Sequence, residues 1–309
     1  MPNDILAETI AAIRERLDDL DTILIERAVV GLFFTGVKLS TGHAGSAATP
    51  IKEIPEAVCC PSSAMAMPFP GKMKGRKAAS LLDEAQESSG IRRAVGIAVL
   101  NALAQAAAER GGCGEAELLP DMDAFDAAGI RPHEKVVVVG AFVPFLRALR
   151  ALGADHLVLE KDPGTLKPAE LPFFREASLA PDIVPQADVL LITGTTLIND
   201  TLDDLLRLAK PTARIVVVGP TVTMVPDAFF RRRCTILGGV EITDPDAFLD
   251  VLAEGGSGYH FFGRSARKVV LRHAAAFAHP DSSAAPAPEP RPGLGISGRA
   301  AAAEEPAAA

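Results

Sequence analysis

Residues 135–144 read Lys-Val-Val-Val-Val-Gly-Ala-Phe-Val-Pro, and this stretch decides the fold. Four consecutive valines make a short strand that is apolar on both faces. Gly140 permits the tight turn that follows, and Pro144 suits the first turn of a helix. A strand covered on both sides and handed directly to a helix is the beginning of a parallel α/β sheet. The same grammar recurs downstream. Apolar runs at Leu157–Leu159, Val189–Ile192 and Ile215–Val218 are interleaved with helical stretches at Pro144–Leu152, Leu202–Ala209 and Pro245–Ala253. Right-handed crossovers between such strands give a doubly wound, Rossmann-like parallel-sheet domain, predicted over residues 116–279.

Upstream the periodicity changes. Ile5, Leu6, Ile10, Ile13, Leu17 and Leu20 fall at helical spacing, so an amphipathic helix opens the chain. Ile23–Val30, then Gly31–Phe34 and Gly36–Leu39, read as a hairpin of two or three strands. Ser40–Pro50 (STGHAGSAATP) is dense in small residues, and the spacing predicts a binding loop and not a core element. Helices follow over Lys77–Glu84 and Ile91–Glu109, the second closed by Gly111-Gly112-Cys113-Gly114. These elements make a small α+β domain over residues 1–115, with the boundary near Gly111–Asp121. Residues 280–309 are rich in Pro, Ala, Ser and Gly, a composition that predicts a disordered C-terminal tail.

The overall composition agrees with a globular α/β chain of about two domains. Hydrophobic residues make up 48% of the 309 and charged residues 23%, which suits a buried core. No run of about 18 residues is apolar enough to span a membrane. Met1–Asp19 lacks the basic and apolar regions of a signal peptide. The net charge of −8 argues against a nucleic-acid partner, which needs a clustered basic face. The short runs Lys72–Lys77 and Arg231–Arg233 read as solvated faces. With Tyr259 the only tyrosine and no tryptophan, there are few platforms for stacking bases. Cys59, Cys60, Cys113 and Cys234 fit neither a disulfide framework nor a CxxC zinc site, and a reducing cytoplasm is the simplest setting. A small-molecule or metal partner is expected, no membrane is, and homo-oligomerisation is left open.

Ligands of an open parallel sheet sit beyond the carboxyl ends of the strands. Four segments there carry unusual residues. After Gly140, a dinucleotide fingerprint needs further glycines, but Phe142 and Pro144 stand in their place, so a standard NAD or FAD site is not expected. An anion at that helix end and a plain strand-to-helix turn both fit. Glu160 lies about twenty positions beyond Gly140, where an acid can hold a ribose hydroxyl pair; a solvated cap is the other reading. In Gly194–Thr201, residues Thr195, Asn199 and Thr201 offer hydroxyl and amide groups. The alternative is capping by Asp200 or Thr201, with Asp203 and Asp204 complementing the helix dipole. Gly219-Pro220-Thr221-Val222-Thr223 is a stiff polar loop or an ordinary turn. In the first half the candidates are Lys38, His43, Thr49, Cys59 and Cys60. His43 can ligate metal or shuttle protons, and thiols bind soft metals. Adjacent cysteines also read as small buried residues, and Lys38 as a solvated strand residue. Asn101, alone among apolar neighbours, is a satisfied core amide or a residue facing the domain interface.

The segments GLFFTGVKLSTGHAGSAATP (Gly31–Pro50), GIAVLNAL (Gly96–Leu103), VVVVGAFVP (Val136–Pro144), ITGTTLINDTLDDLL (Ile192–Leu206) and GPTVTMVPDAFF (Gly219–Phe230) together resemble the family known as "putative heavy-metal chelation". Its members pair an enolase-N-terminal-like domain with a Rossmann-like one. The resemblance implies that both domains contribute to one crevice holding a metal or a small metal complex. The matching positions are Lys38, Thr49, Gly140, Glu160, Thr195, Asn199 and Pro220. A transition metal is then the implied cofactor or cargo. His43 and Cys59 are candidate ligands by residue type alone. Two other functions fit the residues. One is an enzyme, such as a transferase, acting on a nucleoside-bearing or other small organic ligand, with Lys38 and His43 as acid–base groups. The other is a scaffold working through the tail.

Overall fold

Val136–Val139 form a central strand of an eight-stranded sheet in the computed structural model, which describes residues 4–53, 67–111 and 113–274. The first part of the chain contains α1 (Asp4–Arg16), the strands β1 (Ile25–Val30), β2 (Phe34–Leu39) and β3 (Ala44–Ala48), and the helices α2 (Leu82–Glu87) and α3 (Gly90–Gly111). The second part begins with β4 (Ala116–Pro120), α4 (Ala124–Ala128), β5 (Val136–Val139), α5 (Val143–Leu152), β6 (His156–Glu160) and β7 (Phe174–Glu176). It continues with α6 (Ala180–Ile183), β8 (Val189–Thr193), α7 (Thr195–Ile198), α8 (Leu202–Leu208), β9 (Arg214–Val218) and α9 (Asp227–Phe230). It closes with β10 (Cys234–Ile242), α10 (Pro245–Ala253), α11 (Gly258–Phe261) and β11 (Ala266–His273).

The first three strands form an antiparallel meander, β1-β2-β3. The large sheet runs β4-β11-β10-β9-β8-β5-β6-β7. Strands β7, β6, β5, β8, β9 and β10 are mutually parallel. Counted from β5, their spatial order is the 3-2-1-4-5-6 of doubly wound sheets. The two remaining strands, β11 and β4, add antiparallel at one end.

Both faces of the sheet are covered, as the valine run requires. Val136, Val138, Leu191 and Val216 pack with Phe145 and Leu149 of α5 on one face. Val137, Leu190, Ile215 and Val217 on the other face belong to the same core cluster as Ile5, Val37, Leu39, Ala98 and Leu100. The two parts of the chain therefore share one continuous apolar core.

The structure corrects the reading of Ser40–Pro50. Its middle is strand β3, and Ala44–Ala47 are buried. The small residues are there because helix α3 lies directly on the strand. A Cβ on Gly45 would come within 2.2 Å of the Ala102 nitrogen and 2.3 Å of the Ala98 oxygen. Gly96, on α3 itself, is pressed equally close against α2: a Cβ there would come 2.3 Å from the Ala85 nitrogen. Strands β10 and β11 had no clear sequence signal. Gly238 and Gly239 interrupt the first, and Arg267, Lys268 and Arg272 interrupt the second. Cys59, Cys60 and the tail from Pro280 to Ala309 lie outside the described residues. Among the described residues no helix is long and apolar enough to cross a membrane.

Arg231 and Arg233 are exposed, as a solvated face requires, but all three arginines of Arg231–Arg233 have fixed partners and Arg232 is partly buried. Arg231 and Arg232 both bind Glu8 of α1, at 2.6 and 2.8 Å, and Arg232 reaches Asp203 of α8 at 2.7 Å. Arg233 donates to the carbonyls of Ala209 and Lys210. Their acidic partners come from distant sequence, so charge patterning along the chain could not find them. Nearby, Arg16 pairs with Asp227 at 2.8 Å and ties α1 to α9.

Two outcomes follow from this packing. Gly45→Val should destabilise the protein by about 3 kcal/mol or more, because the helix backbone must move; urea unfolding measures it. The second concerns acid. Arg232, chiefly by its hydrogen bond, holds the Glu8 carboxyl below its ordinary value. Burial alone would raise Asp227, but Arg16 overrides it and the net shift is downward. Depressed carboxyls stabilise the fold fully above the ordinary carboxylate range and lose that contribution as pH falls through their folded values. The melting temperature should therefore drop on acidification below about pH 4, and Arg16→Met should make that drop shallower.

Candidate functional site

The strand-end loops are built from glycines and stiffened by the residues beside them. Gly140, at φ +99°, lies against Thr193, and a Cβ there would come 2.6 Å from the Thr193 methyl. Gly194 donates its N–H to Val218 O at 2.7 Å and is pressed against Thr221 and Val222. Gly219, at φ +134°, donates to Gly238 O at 2.8 Å. Three loops from β5, β8 and β9 thus stand side by side on one edge, as the parallel order requires.

The first part of the chain is seated on this edge. Thr221 Oγ1 accepts the Ala48 N–H at 3.0 Å. Lys52 pairs with Asp162 in the loop after β6. A closed circuit of contacts results. It runs from Ala48 and Thr49 along the chain to Lys52, across to Asp162, and by the Asp162 N–H to Glu160. Glu160 Oε2 accepts the Ala141 N–H at 2.8 Å, next to Gly140. From Gly140 the circuit passes to Thr193, Gly194, Thr221 and back to Ala48. Thr195 stands exposed on this edge, its hydroxyl 3.2 Å from that of Thr193.

The remaining predicted residues have definite partners. Glu160 also accepts the Lys161 N–H at 2.7 Å, so much of its carboxylate braces its own loop. Thr49 is buried and bonded to Thr35 at 3.0 Å. Asn199 follows α7 and accepts from Thr201 Oγ1 at 2.6 Å. Thr201 occupies the N-cap position of α8 without a side-chain capping bond. Phe142 turns its ring onto Phe145, with centroids 4.6 Å apart, and walls a void of only about 10 Å³ with Thr193 and Val218. Lys38 does not take part in the circuit. It binds Glu26 and Asp246, both at 2.8 Å, which raises its ammonium pKa.

Asn101 fixes how the two parts meet. Its side-chain NH2 lies 2.7 Å from Ser46 O, 3.2 Å from Pro220 O and 3.1 Å from Thr221 O. It is an interface residue whose NH2 is satisfied, but its buried Oδ1 has no hydrogen-bond partner among the described residues, so the expectation of a fully satisfied core amide holds only for the donor side. Arg93, one-fourteenth exposed or less in its surroundings of α2 and α7, adds donors to Ile198 O and Gln86 O at 3.2 and 3.4 Å.

A much larger hollow, about 490 Å³, lies further along α3. His43, Glu109, Cys113, Thr223, Glu241 and Leu271 are among its lining residues. His43 and Thr49 flank opposite ends of β3, about 20 Å apart at the rise of an extended strand. His43 therefore belongs to this hollow and not to the strand-end circuit. Its Nε2 is 2.8 Å from Glu109, and its Nδ1 is 3.0 Å from the Thr41 hydroxyl. Burial raises the Cys113 thiol pKa, with Arg16 pulling weakly the other way. Cys234, fully buried on β10, is pushed up to about 12 by burial and is inert.

The donor set bears on metals directly. Among the described residues, no three His, Cys, Asp or Glu side chains gather where they could hold an ion. The strand-end circuit offers hydroxyls, backbone N–H groups and two carboxylates, Glu160 bonded to backbone N–H groups and Asp162 paired with Lys52. That set fits neither a soft ion, which takes thiolate or imidazole, nor a tetrahedral zinc site.

Comparison with known proteins finds two family models described as "Putative heavy-metal chelation", one matching residues 123–271 and the other residues 13–104. An uncharacterised protein of Methanocaldococcus jannaschii is 32% identical over 178 residues, 57% of this chain. The match spans 64% of that relative's length. A solved protein of unknown function from the DUF364 family of Pyrococcus horikoshii superposes with a TM-score of 0.68 at 21% identity, covering 87% of this chain and 99% of that one. Another from Desulfitobacterium hafniense gives 0.62 at 19% identity, covering 85% and 99%. At these identities the likeness is one of fold.

Asn101→Leu should cost about 2–4 kcal/mol, since two buried carbonyls and one part-buried carbonyl lose their shared donor. Chemical denaturation measures the loss, and proteolysis near residues 45–50 and 219–223 should speed up with it.

Proposed function

The chain belongs to the "putative heavy-metal chelation" family, and we propose that it binds and handles a small metal complex, not a bare ion, where its two parts meet over the strand ends. One observation carries this reading: the closed circuit from Thr49 and Lys52 through Asp162, Glu160, Gly140 and Gly194 to Thr221. The circuit is built from residues of both parts of the chain.

The roles follow from residue type. Gly140, Gly194 and Gly219 let backbone come close to the bound species. Thr195 and Thr193 supply hydroxyls that both donate and accept. Lys52, paired with Asp162, adds an exposed cation at the rim. The metal is cargo, and its coordination sphere is completed by the small molecule that carries it. Free thiols at Cys113 and Cys234 suit a reducing, cytoplasmic setting.

Equilibrium dialysis of the purified chain tests the proposal, using zinc, copper(II) and nickel as aquo ions and as citrate complexes. Saturable uptake is expected for at least one citrate complex and not for the aquo ions. Thr195→Val, an exposed substitution, should weaken it about tenfold through a lost hydrogen bond. No saturable uptake of any complex by folded protein would overturn the reading, as would undiminished binding by a Thr195→Val, Lys52→Ala double variant.

A further inference from the structure

We propose a second, separate site: the hollow between the C-terminal turns of α3 and the β10-β11-β4 end of the sheet takes an apolar organic molecule with a cationic amine or N–H head. The hollow exists because of one helix stripe. Leu100, Ala104 and Ala108 follow each other four residues apart on the same face of α3. Leu100 is fully buried in the core. Ala104 and Ala108 line the hollow, and their methyl groups do not fill the gap above the sheet. The floor is Met224, Val269 and Leu271, and Leu118 of edge strand β4 sits at the rim, 47% exposed. The volume of about 490 Å³ falls in the range of small-molecule sites, and the lining has the usual apolar walls with few polar groups.

Those polar groups decide the ligand's head. Thr223 Oγ1 is engaged by the Val240 N–H at 2.9 Å. The Gln105 amide, turned to donate to Ala44 O at 2.7 Å, accepts from the Ile242 N–H at 3.2 Å. Burial keeps the Cys113 thiol neutral, so it offers a soft, apolar contact. What remains is acidic. Glu109 meets His43 through Oε2 at 2.8 Å, and Glu241 meets Arg267 through Oε2 at 2.8 Å. Each carboxylate has a second oxygen with acceptor capacity. A donor head is matched to these second oxygens, whereas a carboxylate head meets acceptors, because the neighbouring His43 and Arg267 are already engaged by the same two carboxylates. The Asn101 bridge lies between this hollow and the strand-end circuit, so this site stands or falls independently of the metal-complex reading.

Two probes with one body test the site in the full chain: 1-aminoadamantane and adamantane-1-carboxylic acid, measured by calorimetry. Saturable binding of the amine is expected, at least about tenfold tighter than the acid. Ala108→Phe should fill the hollow and abolish binding with an unchanged melting curve, while Thr195→Val should leave binding unchanged. Should Ala108→Phe fail to fold, Leu118→Lys at the exposed rim is the alternative, and it should weaken the amine and strengthen the acid. The site is overturned by absent saturable binding of the amine, by undiminished binding in folded Ala108→Phe, or by no change in Leu118→Lys. Equal affinity for acid and amine overturns the assignment of the head.

Discussion

Helix α3 lies with its backbone against strand β3, and this contact is possible only because position 45 has no side chain. The rest of the architecture depends on that approach. It brings Asn101 within reach of Ser46 O on one side and of Pro220 O and Thr221 O on the other. One buried amide thereby joins a helix, a strand of the small sheet and a strand-end loop of the large one. Each such bond contributes about 1 kcal/mol net, but leaving the carbonyls bare costs more, which makes the arrangement specific as well as stable.

The same helix organises two places of opposite chemistry. Beside its middle, glycine loops and hydroxyls form a polar edge closed by Lys52 and Asp162. Beyond Asn101, alanines leave an apolar hollow with carboxylates at its margin. Neither resembles a cage for a naked heavy-metal ion, since imidazole and thiol donors are not gathered in threes among the described residues.

Charge plays a structural part in this acidic chain. The arginines at 231 and 232 bind Glu8 and Asp203, and Arg16 binds Asp227, so α1 is clamped to the second part by ion pairs with long sequence separation. Several of these groups are partly shielded, which strengthens them relative to open surface pairs.

Sequence alone determined the alternation of valine-rich strands and helices after residue 135, because a strand buried on both faces has to be apolar throughout. It also marked the glycine loops at 140, 194 and 219, since the turn after such a strand needs backbone freedom. It misread Ser40–Pro50, because small residues signal a loop locally and close helix packing globally, and nothing in the segment distinguishes the two. Strands β10 and β11 were hidden by glycines that make room for Ala124 and Thr223 and by arginines that face solvent or acids. His43 could be picked out as a candidate, but its separation from Thr49 is a matter of which end of a strand each one flanks. Only the tertiary structure decided that, because partners such as Glu109, Asp162 and Thr221 lie tens to hundreds of residues away along the chain and come near through packing alone.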